Sequence, residues 1–351
     1  MKPINTALLS FGMSGWVFHA PFIHVHPRFN LYAVWERTKN EAEVKYPGIK
    51  TYRTLEELLA DEAIELVVVN TPNATHFDFA KAALNAGKHV IVEKPFTVKF
   101  EEATELIELA QQKGLMLSVY HNRRFDSDYK VVKRVVKEGL LGDIVEAEFH
   151  FDRFKNELSV KAHKEAPMAG TGALYDLGSH LIDQALQLFG APQEIFADIR
   201  MVRTGSQVDD YFELLFYYPE FRVRLKCSYL VREPLPAYII HGTKGSFIKE
   251  KSDVQEAALL AGKEPGTADW GAEPPAEQGL LHTEKDGQVI KEHLASQNGN
   301  YAHYYDGIFE ALRNGAAVPV PPADAALVVR VIETAFRSHA EKKVISLSEQ
   351  E

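Results

Sequence analysis

An α/β fold is predicted for this chain: a doubly wound parallel sheet first, then an α+β domain with a largely antiparallel open sheet. Three observations predict it. Over the first ~120 residues, short apolar runs alternate with helical patterns. Val67-Val68-Val69 and Val90-Ile91-Val92 are apolar without alternation, as expected of strands covered on both faces. After Tyr120 the pattern changes, and Val145-Glu146-Ala147-Glu148-Phe149-His150-Phe151-Asp152 alternates apolar and polar residues, which marks a strand with one exposed face.

In chain order, the first-half strand candidates are Thr6–Ser10, Leu31–Glu36, Leu66–Asn70, His89–Glu93 and Leu115–Tyr120. Helices fill the gaps. Thr54-Leu55-Glu56-Glu57 and Thr75-His76-Phe77-Asp78 have the form of capping boxes, in which side chain and backbone satisfy each other's free N–H groups. Gly87 and Gly114 stand where helices should stop in a left-handed residue. Ala103, Leu106, Ile107 and Ala110 form one apolar stripe. Beyond Tyr120 a helix is expected over Ser127–Lys137, with strands at Ile195–Val202, Tyr211–Tyr217, Arg222–Tyr229 and Ala237–His241 and a turn at Gly242–Gly245. Residues 251–297, rich in Gly, Pro, Glu and Ala, are expected to be long loops, with a substrate-side place open to Trp270. A last helix carries Ala325, Val328, Val329, Ile332 and Phe336 on one face. The implied domains are 1–122 and 123–351, and no internal repeat is evident.

Composition bounds the function. At 351 residues the chain exceeds one ordinary core, and 46% hydrophobic with 25% charged residues suits a globular enzyme. A net charge of −10 is the wrong sign for tracking a phosphate backbone, so nucleic acid is not an expected partner. The single cysteine, Cys227, has no internal disulfide partner and no ligand spacing around it. No leader-like segment precedes the first strand, and no apolar run reaches the ~18 residues of a membrane span. A cytoplasmic protein without membrane attachment is expected.

The chemistry-bearing motifs lie at strand ends. Ser10-Phe11-Gly12-Met13-Ser14-Gly15 is a dinucleotide fingerprint with serine in the first glycine position. Gly12 would let the backbone approach a pyrophosphate, Gly15 would let helix and strand pack closely, and the helix start supplies N–H groups for the phosphates. The first domain is therefore expected to be an NAD(P)-binding Rossmann domain. Glu36, ending the second strand, stands where an acid bonds the adenosine ribose and favours NAD slightly over NADP; Arg37 beside it could instead pair with a 2′-phosphate. Asn70-Thr71-Pro72-Asn73 follows another buried strand at the end where open parallel sheets bind ligands. Glu93-Lys94-Pro95 does the same, with a peptide bond that could be cis. In Tyr175-Asp176-Leu177-Gly178-Ser179-His180, Asp176 and His180 are four apart on a helix, so the carboxylate can fix the imidazole as a general base; a plain surface hydrogen bond and metal binding are the other readings.

These segments together resemble the glucose–fructose oxidoreductase/inositol dehydrogenase (Gfo/Idh/MocA) family over nearly the whole chain. The resemblance rests on the glycine turn with Phe18-His19-Ala20-Pro21, on Thr71-Pro72-Asn73 with His76, and on Ala86-Gly87-Lys88-His89-Val90 and Glu93-Lys94-Pro95. It also rests on Ser118-Val119-Tyr120-His121-Asn122-Arg123-Arg124-Phe125 and on Tyr175 to His180. In character the chain is similar to bacterial scyllo-inositol dehydrogenases that use NADP, also around Asp209-Asp210-Tyr211-Phe212, Asp269-Trp270-Gly271 and Asn298-Gly299-Asn300-Tyr301. Those relatives carry small residues where Glu36 stands. The resemblance implies that Lys94, Asp176 and His180 form the catalytic group at an interdomain cleft. It also implies that Ser10, Gly12, Met13, Ser14, Gly15, Glu36, Arg37, Thr71, Pro72, Asn73, His76, Glu93 and Lys94 hold NAD or NADP, and that Tyr120, Asn122 and Arg123 line the substrate side. His163 and Tyr175, with His180, are further hydrogen-bonding candidates for a neutral, hydroxyl-rich substrate.

The expected reaction is hydride transfer between a ring alcohol of a cyclic polyol or sugar and nicotinamide. His180 would take the hydroxyl proton, Asp176 would hold His180, and Lys94 would donate to the reacting oxygen. An aldose dehydrogenase, an NAD-dependent glycosidase with no net redox change, and a non-enzymatic nucleotide-sensing regulator are the alternatives. Phe212, Leu214 and Phe216 are expected on an open sheet face that a homodimer or homotetramer would cover. No metal site is expected.

Overall fold

The computed structural model describes residues 2–159 and 165–348. The chain divides into two compact units. The first comprises Met1–Asn122, Val254–Trp270 and Asn300–Ala326, and the second comprises Arg123–Asp253, Gly271–Gly299 and Leu327–Glu351.

In the first unit, β1 (Ile4–Leu8), β2 (Phe29–Trp35), β3 (Lys50–Tyr52), β4 (Leu66–Val69), β5 (His89–Val92) and β6 (Leu117–Val119) form a sheet. Its order is β3-β2-β1-β4-β5-β6 and every pair is parallel. The chain winds outward in one direction from β1 and in the other from β4, so a switch point opens beyond the carboxyl ends of those two strands. β1 and β4 are buried along their whole length; β4 is an unbroken apolar run, and β1 buries Asn5 and Thr6 among its apolar residues. β3 was not expected: its three residues, Lys-Thr-Tyr, are exposed or half-buried at the sheet edge and carry no apolar run.

Helix ends follow the local chemistry, with one correction. The box at Thr54 and Glu57 forms with both bonds present. The one expected at Thr75 does not, because the helix His76–Asn85 is preceded by a 3₁₀ turn over Asn73–Thr75. The Thr75 hydroxyl donates instead to Pro72 O at 2.7 Å. Chain segments from late in the sequence complete this unit. Trp270 is buried, donates Nε1–H to Gln255 at 3.2 Å and meets Phe22 edge-on. The helix Ala302–Asn314 buries Tyr304, Tyr305, Ile308 and Phe309.

The second unit carries β7 (Ile144–His150), β8 (Glu194–Arg200), β9 (Tyr211–Tyr217), β10 (Arg222–Ser228), β11 (Tyr238–Gly242), β12 (Gly245–Lys249), β13 (Gly279–Lys285), β14 (Gln288–Leu294) and β15 (Ile345–Ser346). Among the described residues the sheet order is β14-β13-β12-β11-β7-β10-β9-β8-β15, antiparallel except where β7 and β10 run parallel.

Two expectations are corrected here. Residues 251–297 are not loop throughout: they contain the helix Gln255–Leu260 and the hairpin β13–β14. The hairpin turns at Asp286-Gly287, both with positive φ, the Asp-Gly signal for a tight two-residue turn. Phe212, Leu214 and Phe216 are fully buried, because they take the helix side of β9, where Phe212 lies against Gly178. The alternate residues Tyr211, Glu213, Leu215 and Tyr217 take the opposite, half-buried face. Among the described residues, no helix is long and apolar enough to cross a membrane.

Candidate active site

At the switch point of the first unit lies a cleft of about 470 Å³. It is lined by the glycine turn from Leu9 to Gly12, by Trp35 to Lys39 and Glu41, and by Thr71, Pro72, Thr75 and Phe79. That size lies within the range of small-molecule sites. The serine in the first glycine position is accommodated, and its Oγ accepts the Gly12 N–H at 3.0 Å. Its carbonyl accepts from Asn70 Nδ2 at 2.8 Å, which ties the end of β4 to the turn. A Cβ on Gly15 would lie 2.3 Å from Ser10 O and 2.9 Å from Asn70 Nδ2, so only glycine brings the helix this close to the strand. The helix starting at Ser14 therefore presents its first N–H groups at the turn, as a dinucleotide pyrophosphate requires. Met13 is exposed there and Ser14 half-buried.

At the cleft wall formed by Trp35 to Lys39 the geometry separates Glu36 from Arg37. Glu36 is 6% exposed, and its two carboxylate oxygens accept the N–H groups of Glu41 and Ala42, so it caps the short helix Glu41–Lys45. Arg37 is exposed on the cleft wall, as are Thr38 and Lys39. Arg53 bonds the carbonyls of Glu36 and Lys39 at 2.7 and 2.6 Å and holds this loop. Thr71 and Pro72 line the cleft, whereas Asn73 opens the 3₁₀ turn beside it. His76 is buried, with its ring nitrogens 2.8 Å from Pro95 O and 2.9 Å from Thr71 O. Burial lowers its pKa, and a neutral ring donates to one carbonyl at a time. Its place is between the two loops, not on the cleft surface.

Lys94 follows β5 and is half-buried, and its bond to Pro95 is cis. The Glu93 carboxylate accepts from Ser14 Oγ and from His19 Nε2 at 3.0 Å on one oxygen, and from the Lys94 N–H at 3.0 Å on the other. Burial alone would raise its pKa, but the His19 and Ser14 bonds and the Lys94 charge outweigh that and hold it at about 2. Tyr120 belongs to the core of this unit: it is 1% exposed, donates to Phe18 O at 3.0 Å and packs against His19. Asn122 is also buried.

In the second unit, Asp176 and His180 sit on one continuous helical segment. Its first turn, Leu174–Gly178, is a π turn, and it continues as the α-helix Ser179–Phe189. The start of this segment is pinned by Asp209, whose carboxylate accepts the Leu174 N–H at 2.7 Å while its carbonyl accepts the Ala173 N–H at 2.8 Å. Burial raises the Asp209 carboxyl to about 6 despite these bonds. A Cβ on Gly172, whose φ is +103°, would lie 1.9 Å from Asp209 Oδ1. Tyr175 points into the core and stacks on Phe336 at 5.7 Å. Arg123 pairs with Asp126 at 3.2 Å and lies over the Phe151 ring, and Arg124 forms a two-pronged pair with Asp183 at 2.8 and 2.6 Å. His163 lies outside the described residues.

The sequence assigns no individual role to His19 or Asp209, and for Asn70 only a place in a ligand-side loop, not its bond to the glycine turn. Each lies in a motif singled out there, but the partner that explains it is at least 35 residues away along the chain.

Residues 4–121 match an oxidoreductase family with an NAD-binding Rossmann fold, Gfo/Idh/MocA, and residues 133–347 match that family's C-terminal alpha/beta domain. The chain is 39% identical over 344 residues to scyllo-inositol 2-dehydrogenase (NADP(+)) IolW of Bacillus subtilis, covering 98% of this chain and 96% of that protein. It is 33% identical over 221 residues to the mouse trans-1,2-dihydrobenzene-1,2-diol dehydrogenase, covering 61% of this chain and 64% of that protein. Among solved structures, yvaA of Bacillus subtilis superposes with a TM-score of 0.94 at 38% identity, covering 98% of each chain. The glycine cradle, the cleft and the full-length kinship agree: the chain belongs to the Gfo/Idh/MocA family and is an NAD(P)-dependent oxidoreductase.

Proposed function

We propose that this protein oxidises a ring hydroxyl of an inositol-like cyclic polyol, with NADP preferred to NAD. The observation that carries the substrate reading is the near full-length kinship to a protein named as a scyllo-inositol dehydrogenase. The cofactor reading rests on the cleft wall. There the Glu36 carboxylate is held by two backbone N–H groups, while Arg37 faces solvent where a 2′-phosphate would need a cation. Ser10 to Gly15 and Thr71 to Asn73 would hold the dinucleotide, whose nicotinamide supplies the hydride acceptor.

His180 takes the hydroxyl proton, which an alcohol must lose to become a good hydride donor. Asp176, one turn earlier, fixes the imidazole and stabilises its protonated form. Lys94 donates a hydrogen bond to the reacting oxygen and favours its alkoxide character. General acid–base assistance is typically worth about 10² to 10⁴ in rate. His180→Ala should therefore cut kcat by that order and leave NADPH binding, followed by fluorescence, near wild type. The deciding experiment is a panel of inositols and aldoses assayed with NADP⁺ and NAD⁺ separately, read by the absorbance of reduced nicotinamide. No turnover with any cyclic polyol, or unchanged turnover in His180→Ala, would end this reading.

A homo-oligomer is proposed as well. On the sheet face away from the helices, Phe196, Leu215, Ile239 and Ile248 are half-buried apolar residues that a second copy would cover. Light scattering at the monomer mass would count against it.

A further inference from the structure

We propose that His19 is a positioning residue for Lys94, acting through Glu93, and that Tyr305 holds the His19 ring in place from its other nitrogen. The inference rests on the role given to Lys94 above. Nothing in the proposed reaction uses His19, yet it is fully buried in a directional chain of hydrogen bonds.

The directions follow from one charge. Glu93 is ionised, so its carboxylate only accepts. His19 Nε2, 3.0 Å away, must therefore carry a hydrogen and donate it. In the neutral ring Nδ1 is then an acceptor, and the Tyr305 hydroxyl, 2.7 Å away, donates to it. Tyr305 is itself buried and sits on the helix Ala302–Asn314, so its own position is set by core packing. The opposite tautomer would aim a bare nitrogen at a carboxylate. Tyr120, 4.4 Å from the His19 ring between centroids, closes one side of the pocket and limits ring rotation.

At the other end of the chain, Glu93 joins two working parts. One oxygen takes Ser14 of the phosphate turn together with His19, and the other takes the N–H of Lys94. The carboxylate is thus a strut between the turn that grips the dinucleotide and the backbone from which Lys94 emerges. Without His19, Ser14 would be the one side-chain donor left on that oxygen, and the carboxylate could turn about the line between Ser14 and the Lys94 N–H. His19 supplies the second side-chain point on the same oxygen and restrains that motion; by analogy with the partners that orient metal ligands, losing such a bond costs about 10- to 100-fold in activity.

The test uses two carboxamides that put similar bulk in the same pocket. His19→Gln can place its amide N–H where Nε2 stands and keep the bond to Glu93. His19→Asn reaches only the Nδ1 position and loses it. Kinetics with scyllo-inositol and NADP⁺ should show kcat down about 10- to 100-fold in His19→Asn and near wild type in His19→Gln. NADPH affinity and melting temperature should be matched between the two. Trace acetylation of Lys94, read by peptide mass spectrometry, needs no substrate: its rate should change several-fold in His19→Asn and not in His19→Gln.

Equal losses in both variants would show a packing role only and overturn the proposal, as would wild-type kcat and labelling in His19→Asn. If either variant fails to fold, Tyr305→Phe decides. A drop of about tenfold in kcat, or altered Lys94 labelling, with unchanged NADPH affinity upholds the chain, and no change in either sinks it. Lys94→Met separates the two levels of inference: wild-type turnover there removes the role of Lys94, whereas a dead Lys94→Met beside an unaffected His19→Asn removes only that of His19.

Discussion

Replacing Gly15 by alanine tests whether the glycine turn is the phosphate grip, and the structure sets the size of the effect. The added Cβ would stand 2.3 Å from Ser10 O and 2.9 Å from Asn70 Nδ2. The first neighbour is backbone at the end of a fully buried strand and cannot swing away. The helix start must therefore retreat by roughly 1 Å, a displacement on the scale that costs about 10² when it misplaces groups around a ligand. Hydrogen bonds from its N–H groups to a phosphate are charge-assisted and worth about 1.5–3 kcal/mol each, so weakening one should lower NADPH affinity roughly 10- to 100-fold. Overpacking should also destabilise the fold by about 1–3 kcal/mol. Fluorescence titration with NADPH measures the first effect, and thermal unfolding with and without NADPH the second. An NADPH affinity equal to wild type in a folded Gly15→Ala protein would show that the phosphates are not held at this turn.

Three further outcomes are expected. Arg37→Ala should weaken NADP⁺ binding about tenfold or more and leave NAD⁺ unchanged, since only the 2′-phosphate loses a charged partner; equal losses for both, by calorimetry, would contradict the assignment. Glu93 has a folded pKa held below its ordinary 4.5, at about 2, so its stabilisation is complete above 4.5 and is lost as pH falls through that window. Urea unfolding of Glu93→Gln should accordingly show a shallower loss of stability than wild type between those two pH values. The Arg124–Asp183 pair is almost wholly buried, so Arg124→Leu should cost about 3–5 kcal/mol by stranding the carboxylate. Adding Asp183→Leu should restore much of that in the melting temperature.

Much of this architecture was legible because it is written locally. Unbroken valine runs placed β4 and β5, alternation placed β7, β9 and β10, and the Thr54/Glu57 box announced its own helix. Where local signals were weak, the structure went elsewhere. β14 exposes most of its residues and has no apolar face to betray it, so only the Asp286-Gly287 turn marks the hairpin. In the candidate site the motifs identified the segments but not the direction of each side chain. Glu36 and Arg37 are neighbours in one loop, yet the first turns inward to cap a helix and the second outward to the cleft. Tyr120 and Tyr175, expected on the substrate side, both have rings buried against aromatic neighbours, which their motifs do not announce. Periodicity gives a residue's face; which side of that face holds the ligand depends on partners distant in sequence.

One local device recurs in both units and bears on how the functional side chains are presented. The segments that carry the dinucleotide turn and the Asp176/His180 pair each open with a π turn, Ser14–His19 and Leu174–Gly178, before continuing as α-helix. In the first, the Ala20 N–H reaches back to Gly15 O, five residues earlier, which is the bond that widens the turn. π turns are rare, occur mostly as single turns inside α-helices, and are frequent at functional sites. Here each is bracketed by close approach: Gly15 sits against Ser10 O, and a Cβ on Gly178 would lie 2.7 Å from Leu174 and 3.3 Å from Phe212. The extra residue in the turn sets the helical phase between that glycine and the histidine that follows, His19 or His180. A regular α-helix drawn through the same residues would shift one relative to the other. The spacing of Asp176 and His180 thus has its geometric meaning only together with Gly178, and a substitution at Gly178 should disturb the pair without touching either member.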